Sequence, residues 1–131
     1  MSDPLATRKL FDRTMGFLQR SLDVRTARHK ILSGNVANAE TPNYRPVDIP
    51  FQRVLEQTLH SGSGMQLKMT HRSHIPETLE RPLEVVASAE GVNLDQEMSN
   101  LAENNLMFQS GVQALVKKLE ALKATILEGG K

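Results

Sequence analysis

The sequence predicts a mainly α-helical chain: long N- and C-terminal helices pair as an antiparallel coiled coil, and an extended, irregular middle carries a short helix and a short β-hairpin or arm. Three observations predict it. Apolar residues recur in an alternating four-three step over residues 94–126, a similar alternation runs through residues 5–39, and between 40 and 92 prolines, glycines and serines leave room for no long helical period. At 131 residues the chain suits one domain spanning 1–131.

The first helix is expected over residues 5–39. Phe11, Met15, Leu18, Leu22, Leu32 and Val36 keep the coiled-coil step, and Leu10, Phe17, Val24 and Ile31 widen the apolar face. Arg25 and His29 break the seam, so they need polar partners or water. Asp3 followed by Pro4 supplies a start, since an aspartate caps free N–H groups and proline suits the first turn. Gly16 and Gly34 each weaken the helix by about 1 kcal/mol relative to alanine. They mark places for a bend or for close approach of another backbone.

The most specific local pattern ends this helix: Asn35-Val36-Ala37-Asn38-Ala39-Glu40-Thr41-Pro42-Asn43-Tyr44. Asn35 and Asn38 lie three apart on one helical face, where their amides can reach backbone groups of an adjoining segment. Pro42 stops the helix by pushing Thr41 into an extended conformation. Asn43 then occupies a turn position that often requires positive φ, which asparagine tolerates better than most residues. Taken alone, the pattern is a helix stop decorated with polar side chains.

The middle, residues 40–92, changes character. Pro46 and Pro50 enforce an extended stretch in which Val47 and Ile49 alternate. Phe51, Val54, Leu55 and Leu59 predict a short amphipathic helix near 51–59. Ser61-Gly62-Ser63-Gly64 is a flexible connector; Met65, Leu67 and Met69 then alternate with polar residues as a strand or arm would. From Pro76 to Glu90 the sequence reads as irregular.

The second long helix is expected over 93–127. Leu94, Leu101, Phe108, Leu115 and Leu122 form one heptad series at d, and Met98, Asn105, Val112, Leu119 and Ile126 form another at a. A helix of this length extends roughly 50 Å and needs partners along its seam. Asn105 is the one polar member: either it selects register and partner from inside the seam, or it faces solvent.

The Asn35–Tyr44 stretch resembles the N-terminal signature of bacterial flagellar rod, hook and related axial proteins, which reads Asn-aliphatic-Ala-Asn-x-x-Thr-Pro-Gly-Tyr. Asn35, Ala37, Asn38, Thr41, Pro42 and Tyr44 match it, and Asn43 departs where that family usually has glycine. Gly91 to Met98 with Leu101-Ala102-Glu103-Asn104 resembles the C-terminal block of the proximal members of the basal-body rod protein family. Tyr44–Phe51 and Thr70–Ile75 resemble their middle region, so the likeness covers nearly the whole chain. The resemblance implies a structural subunit of the proximal rod that assembles with other copies of itself, with other rod proteins and with the export gate or adaptor ring at the rod base. It also implies export through the flagellar type III apparatus without a cleaved signal, to the periplasmic rod.

Composition excludes several alternatives. A net charge of +1, from 16 Lys plus Arg against 15 Asp plus Glu, gives no electrostatic pull toward nucleic acid or an anionic membrane. With no cysteine there is neither a disulfide nor a thiolate metal site. No run of 18 apolar residues would span a bilayer, and no apolar signal core stands in the first thirty residues. His71 and His74 are three apart but lack further ligands, Ser33 lacks a nucleophile elbow, and the Ser61–Gly64 glycines lack the lysine of a phosphate loop. No cofactor is therefore expected. A generic coiled-coil adaptor, or a nucleic-acid module using Arg8, Lys9, Arg13, Arg20, Arg25, Arg28 and Lys30, are the rival readings.

Overall fold

The computed structural model describes the backbone over residues 4–60 and 83–129 and side chains over 12–60 and 83–129. The expected Asp3 cap, the Phe11 side chain, the Met65–Met69 arm and the His71/His74 pair lie outside the described residues.

Helix α1 spans Pro4–Ala37 and helix α3 spans Leu94–Gly129. They pack against each other in antiparallel sense: Asn35 meets Glu97, Arg25 meets Asn104 and Leu22 meets Gly111, so one helix descends as the other ascends. Helix α1 stops two residues before the expected end. Asn38 N–H is shared between the carbonyls of Gly34 at 3.0 Å and Asn35 at 3.2 Å, and Ala39 N–H reaches Val36 at 3.2 Å, which tightens the last turn before Pro42 is reached. Neither Gly16 nor Gly34 interrupts α1, and a Cβ added at either would meet nothing within 4 Å. The close approach expected at these glycines is absent from both.

At its start, α3 is capped by Asn93, whose Oδ1 accepts from Gln96 N–H at 3.2 Å and whose carbonyl accepts from Glu97 N–H at 2.9 Å. Asp95 and Glu97 place negative charge in the first turn, where the helix dipole favours it.

Between the long helices run β1 (Val47–Asp48), α2 (Phe51–His60) and β2 (Val86–Ala87). The strands pair antiparallel, Val47 with Ala87 and Asp48 with Val86, and Ser88 N–H to the Pro46 carbonyl at 2.8 Å extends the ladder. The small sheet is thus built from the proline-bounded stretch and from a segment read as irregular. A strand of two residues leaves no period in the sequence, so β2 becomes visible only through its partner. Helix α2 falls where its amphipathic spacing predicts; Val54 turns inward to join Val24 and Ile49 in the apolar core, flanked by Ala27, Ile31, Phe51 and Leu83. This core pins α2 and β1 to the C-terminal half of α1.

Candidate functional site

The signature residues converge on Asn35, which is fully buried in the last turn of α1. Its amide makes every hydrogen bond available to it. Nδ2 donates to the Val47 carbonyl at 2.8 Å and to Glu97 Oε2 at 2.9 Å, while Oδ1 accepts from Val47 N–H at 3.1 Å and from the Tyr44 hydroxyl at 3.0 Å. By pairing with both backbone groups of Val47, the side chain stands where a neighbouring strand would, on the edge of β1 away from β2. Asn35 therefore ties the end of α1 to the sheet and to α3 at once.

The residues after Asn35 shape the chain so that Val47 can reach it. Asn38 serves its own helix end: Nδ2 donates to the Gly34 carbonyl at 2.8 Å, and Oδ1 accepts from the Thr41 hydroxyl at 3.2 Å. Two consecutive turns follow, closed by Thr41 N–H to Asn38 O at 3.0 Å and Tyr44 N–H to Thr41 O at 3.2 Å. Pro42 and Asn43 are the central residues of the second. Asn43 has φ of 61°, the left-handed conformation that a type II turn requires there and that glycine adopts without strain. Tyr44 is thereby returned toward Asn35, while Ala37, Thr41 and Pro42 remain exposed.

About two and three turns earlier on α1, the arginines find partners. Arg28 forms a two-pronged pair with Asp48, Nε to Oδ1 and Nη2 to Oδ2, both at 2.8 Å. Asp48 Oδ1 also accepts Ile49 N–H at 2.7 Å, so the carboxylate holds β1 and the arginine together. Donating these hydrogen bonds to Asp48 raises the Arg28 pKa against the opposing effect of burial. Arg25 lies over the Phe51 ring, 3.8 Å from its centroid, and its pKa is lowered, first by burial and then by the charge of Arg28. The seam break expected at Arg25 is thus resolved by an aromatic face on α2, and His29 is exposed.

The two apolar series of α3 separate. Facing α1 is the stripe Glu97, Leu101, Asn104, Phe108, Gly111 and Leu115, each buried or half-buried. Leu101, Phe108 and Leu115 from the first series lie within it, whereas Leu94 and Leu122 are exposed. Met98, Asn105, Val112, Leu119 and Ile126 all point away from this contact, with Met98 53 %, Leu119 47 % and Ile126 65 % exposed. The polar residue of the pairing is Asn104, not Asn105: it is 1 % exposed and donates from Nδ2 to the Arg25 carbonyl at 2.9 Å. Its Oδ1 is buried without a partner. On α1, Leu32 is fully buried and Met15, Leu18, Leu22 and Val36 are half-buried.

A mixed stripe, in which Glu97, Asn104 and Gly111 alternate with Leu101, Phe108 and Leu115, therefore packs on α1, and a greasier stripe beside it is left uncovered. Among the described residues no group of His, Asp and Glu is arranged to hold a metal ion, and no helix is long and apolar enough to cross a membrane.

No protein-family model matches the chain. Curated relatives do, over almost their full length. The flagellar basal body rod protein FlgB of Yersinia ruckeri is 33 % identical over 90 % of this chain and 96 % of its own. The chain belongs to the FlgB family of flagellar basal body rod proteins. FlgB of Bacillus subtilis is 30 % identical over 93 % of this chain and 98 % of its own, and FlgB of Escherichia coli K12 is 30 % identical over 90 % and 96 %. The similarity thus extends across distant bacteria and spans both long helices and the segment between them.

For this FlgB-family chain, sequence reasoning missed Glu97, the Arg28–Asp48 pair and Gly111. Glu97 and Gly111 sit on the same four-three stripe as Leu101 and Leu115, so a second candidate face was present in the spacing. Ranking faces by hydrophobicity alone passed over it.

Proposed function

We propose that this chain is a structural subunit of the proximal rod of the flagellar basal body, without catalytic activity, that assembles with copies of itself and with other rod proteins. At the rod base it meets the export gate or adaptor ring. It reaches the periplasmic rod through the flagellar type III apparatus without a cleaved signal. Membership of the FlgB family supports the rod assignment. The observation that carries the assembly reading is the uncovered series on α3: Met98, Val112, Leu119 and Ile126 keep coiled-coil spacing yet face away from α1. Burying each such side chain yields roughly 1.5 to 3 kcal/mol, so a neighbouring helix laid along the stripe gains a substantial apolar contact.

The test is a strain lacking this gene, complemented with the natural chain or with Leu119→Asp. The natural chain restores flagella visible by electron microscopy. Leu119→Asp is made and exported but does not enter the rod, because an unpaired carboxylate in an apolar contact is strongly unfavourable. Full flagellation with Leu119→Asp contradicts the assembly surface, and flagella on the uncomplemented deletion strain contradict the rod assignment itself.

A further inference from the structure

We infer that Gly111 and Leu22 set the register in which α1 and α3 pair, and through it decide which apolar series of α3 faces outward. Heptad repetition alone leaves register open, because a slip of seven residues exchanges Leu101, Phe108 and Leu115 for one another. A unique register needs features that do not repeat. The stripe facing α1 has one at each turn of the heptad: Glu97, Asn104, Gly111 and Lys118 occupy equivalent positions with four different chemistries.

Gly111 is the steric member of that set. A Cβ built on it would lie 2.9 Å from Leu22 Cδ2 and 3.8 Å from Leu22 Cγ, whereas at Gly16, Gly34, Gly91 and Gly129 an added Cβ meets nothing within 4 Å. Leu22 thus fills the space that a Cβ at position 111 would take, so any other residue there displaces the Leu22 tip. A seven-residue slip would bring Asn104 or Lys118 opposite Leu22, and each carries a Cβ that would displace the Leu22 tip. The same slip would also part Glu97 from Asn35. A glycine in mid-helix weakens the helix relative to alanine, so this position sacrifices local preference to the contact.

Register also fixes function. In the native register the mixed Glu97–Leu115 stripe is consumed by α1, and the Met98–Ile126 series is presented to neighbours. This consequence rests on the rod-subunit reading; the register claim itself rests on the fold.

The test is a double-mutant cycle in the purified full chain, with Gly111→Ala and Leu22→Ala made singly and together. Helix preference alone predicts that Gly111→Ala raises the thermal midpoint in both backgrounds. The inference predicts that it lowers the midpoint when Leu22 is present and raises it when Leu22→Ala has emptied the contact. A change of the same sign and size in both backgrounds overturns the inference.

Gly111→Val, which sets a larger, branched side chain against Leu22, is read by spin labels on Gln19→Cys and Gln113→Cys. Both sites are exposed, and the chain has no cysteine of its own. The natural register gives one narrow distance; Gly111→Val is expected to add a population in which the helices have slipped axially by about 10 Å, one heptad of helix rise. The slip is read as a longer distance, because the two labels lie opposite each other in the natural register. An unchanged single distance in folded Gly111→Val overturns the register claim, whatever its midpoint. If Gly111→Val does not fold, the alanine cycle decides. A displaced register combined with full motility of the same variant in cells contradicts only the consequence for assembly.

Discussion

Asn35 Nδ2 donates to Glu97 Oε2 across 2.9 Å, joining the last turn of α1 to the first turn of α3 between residues 62 apart in sequence. The same amide holds both backbone groups of Val47 and the Tyr44 hydroxyl. One buried side chain thereby closes the base of the helix hairpin and seats the small sheet against it.

Asn35→Ala is expected to lower stability by roughly 2 to 4 kcal/mol, because it strands several buried polar groups together. Asn35→Asp should be worse, since it loses both donors and sets a carboxylate against Glu97. Adding Glu97→Gln returns a donor and recovers part of that loss. Urea denaturation followed by circular dichroism measures all three; an Asn35→Asp chain as stable as the natural one contradicts the hub.

At the turn, Asn43→Gly is expected to stabilise by a few tenths to about 1 kcal/mol by relieving the left-handed conformation, with the fold unchanged. Asn43→Val should destabilise by more than 1 kcal/mol, roughly, because a branched Cβ crowds positive φ. Thermal midpoints in the opposite order would show that the turn does not hold this conformation in solution.

Arg28→Lys removes the two-pronged geometry while keeping the charge, and the expected loss is about 1 kcal/mol, moderated by the partial exposure of Asp48. The amide signals of Asp48 and Ile49 should shift more than those of α3 in nuclear magnetic resonance spectra. Equal stability with unshifted β1 signals would mean that the pair does not anchor the strand.

Asn104→Leu removes a buried oxygen that has no partner and fills the site with apolar volume. The expected change is between neutral and about 1 kcal/mol stabilising, since the Arg25 carbonyl is still within its own helix. A clear loss of stability would show that the Asn104 amide contributes more through Nδ2 than its unpaired Oδ1 subtracts.

The extent to which the fold was legible follows from the range of each interaction. Helices α1, α2 and α3 were readable because periodicity, Pro42 and Pro50 act within a turn or two of chain. The turn at Asn43 was readable for the same reason. The pairing face of α3 was not, because its choice depends on α1: Asn35 and the Arg25 carbonyl bring polar groups to the contact and Leu22 brings its side chain, so α3 answers with Glu97, Asn104 and Gly111 rather than with its greasiest stripe. Asn35 and Glu97 are too far apart in sequence for spacing to connect them. The glycine that permits close approach was likewise legible only from what stands opposite it: Leu22 faces Gly111, and nothing faces Gly16 or Gly34.

The central claim is that the outward series of α3 is covered by neighbouring subunits in the rod. Thiol labelling of Val112→Cys, compared between the purified chain and isolated basal bodies with the labelled peptide read by mass spectrometry, tests it most directly. The account predicts fast labelling in the purified chain and protection of tenfold or more, roughly, in basal bodies, as burial in a packed contact requires. Equal labelling rates in the two states would contradict it.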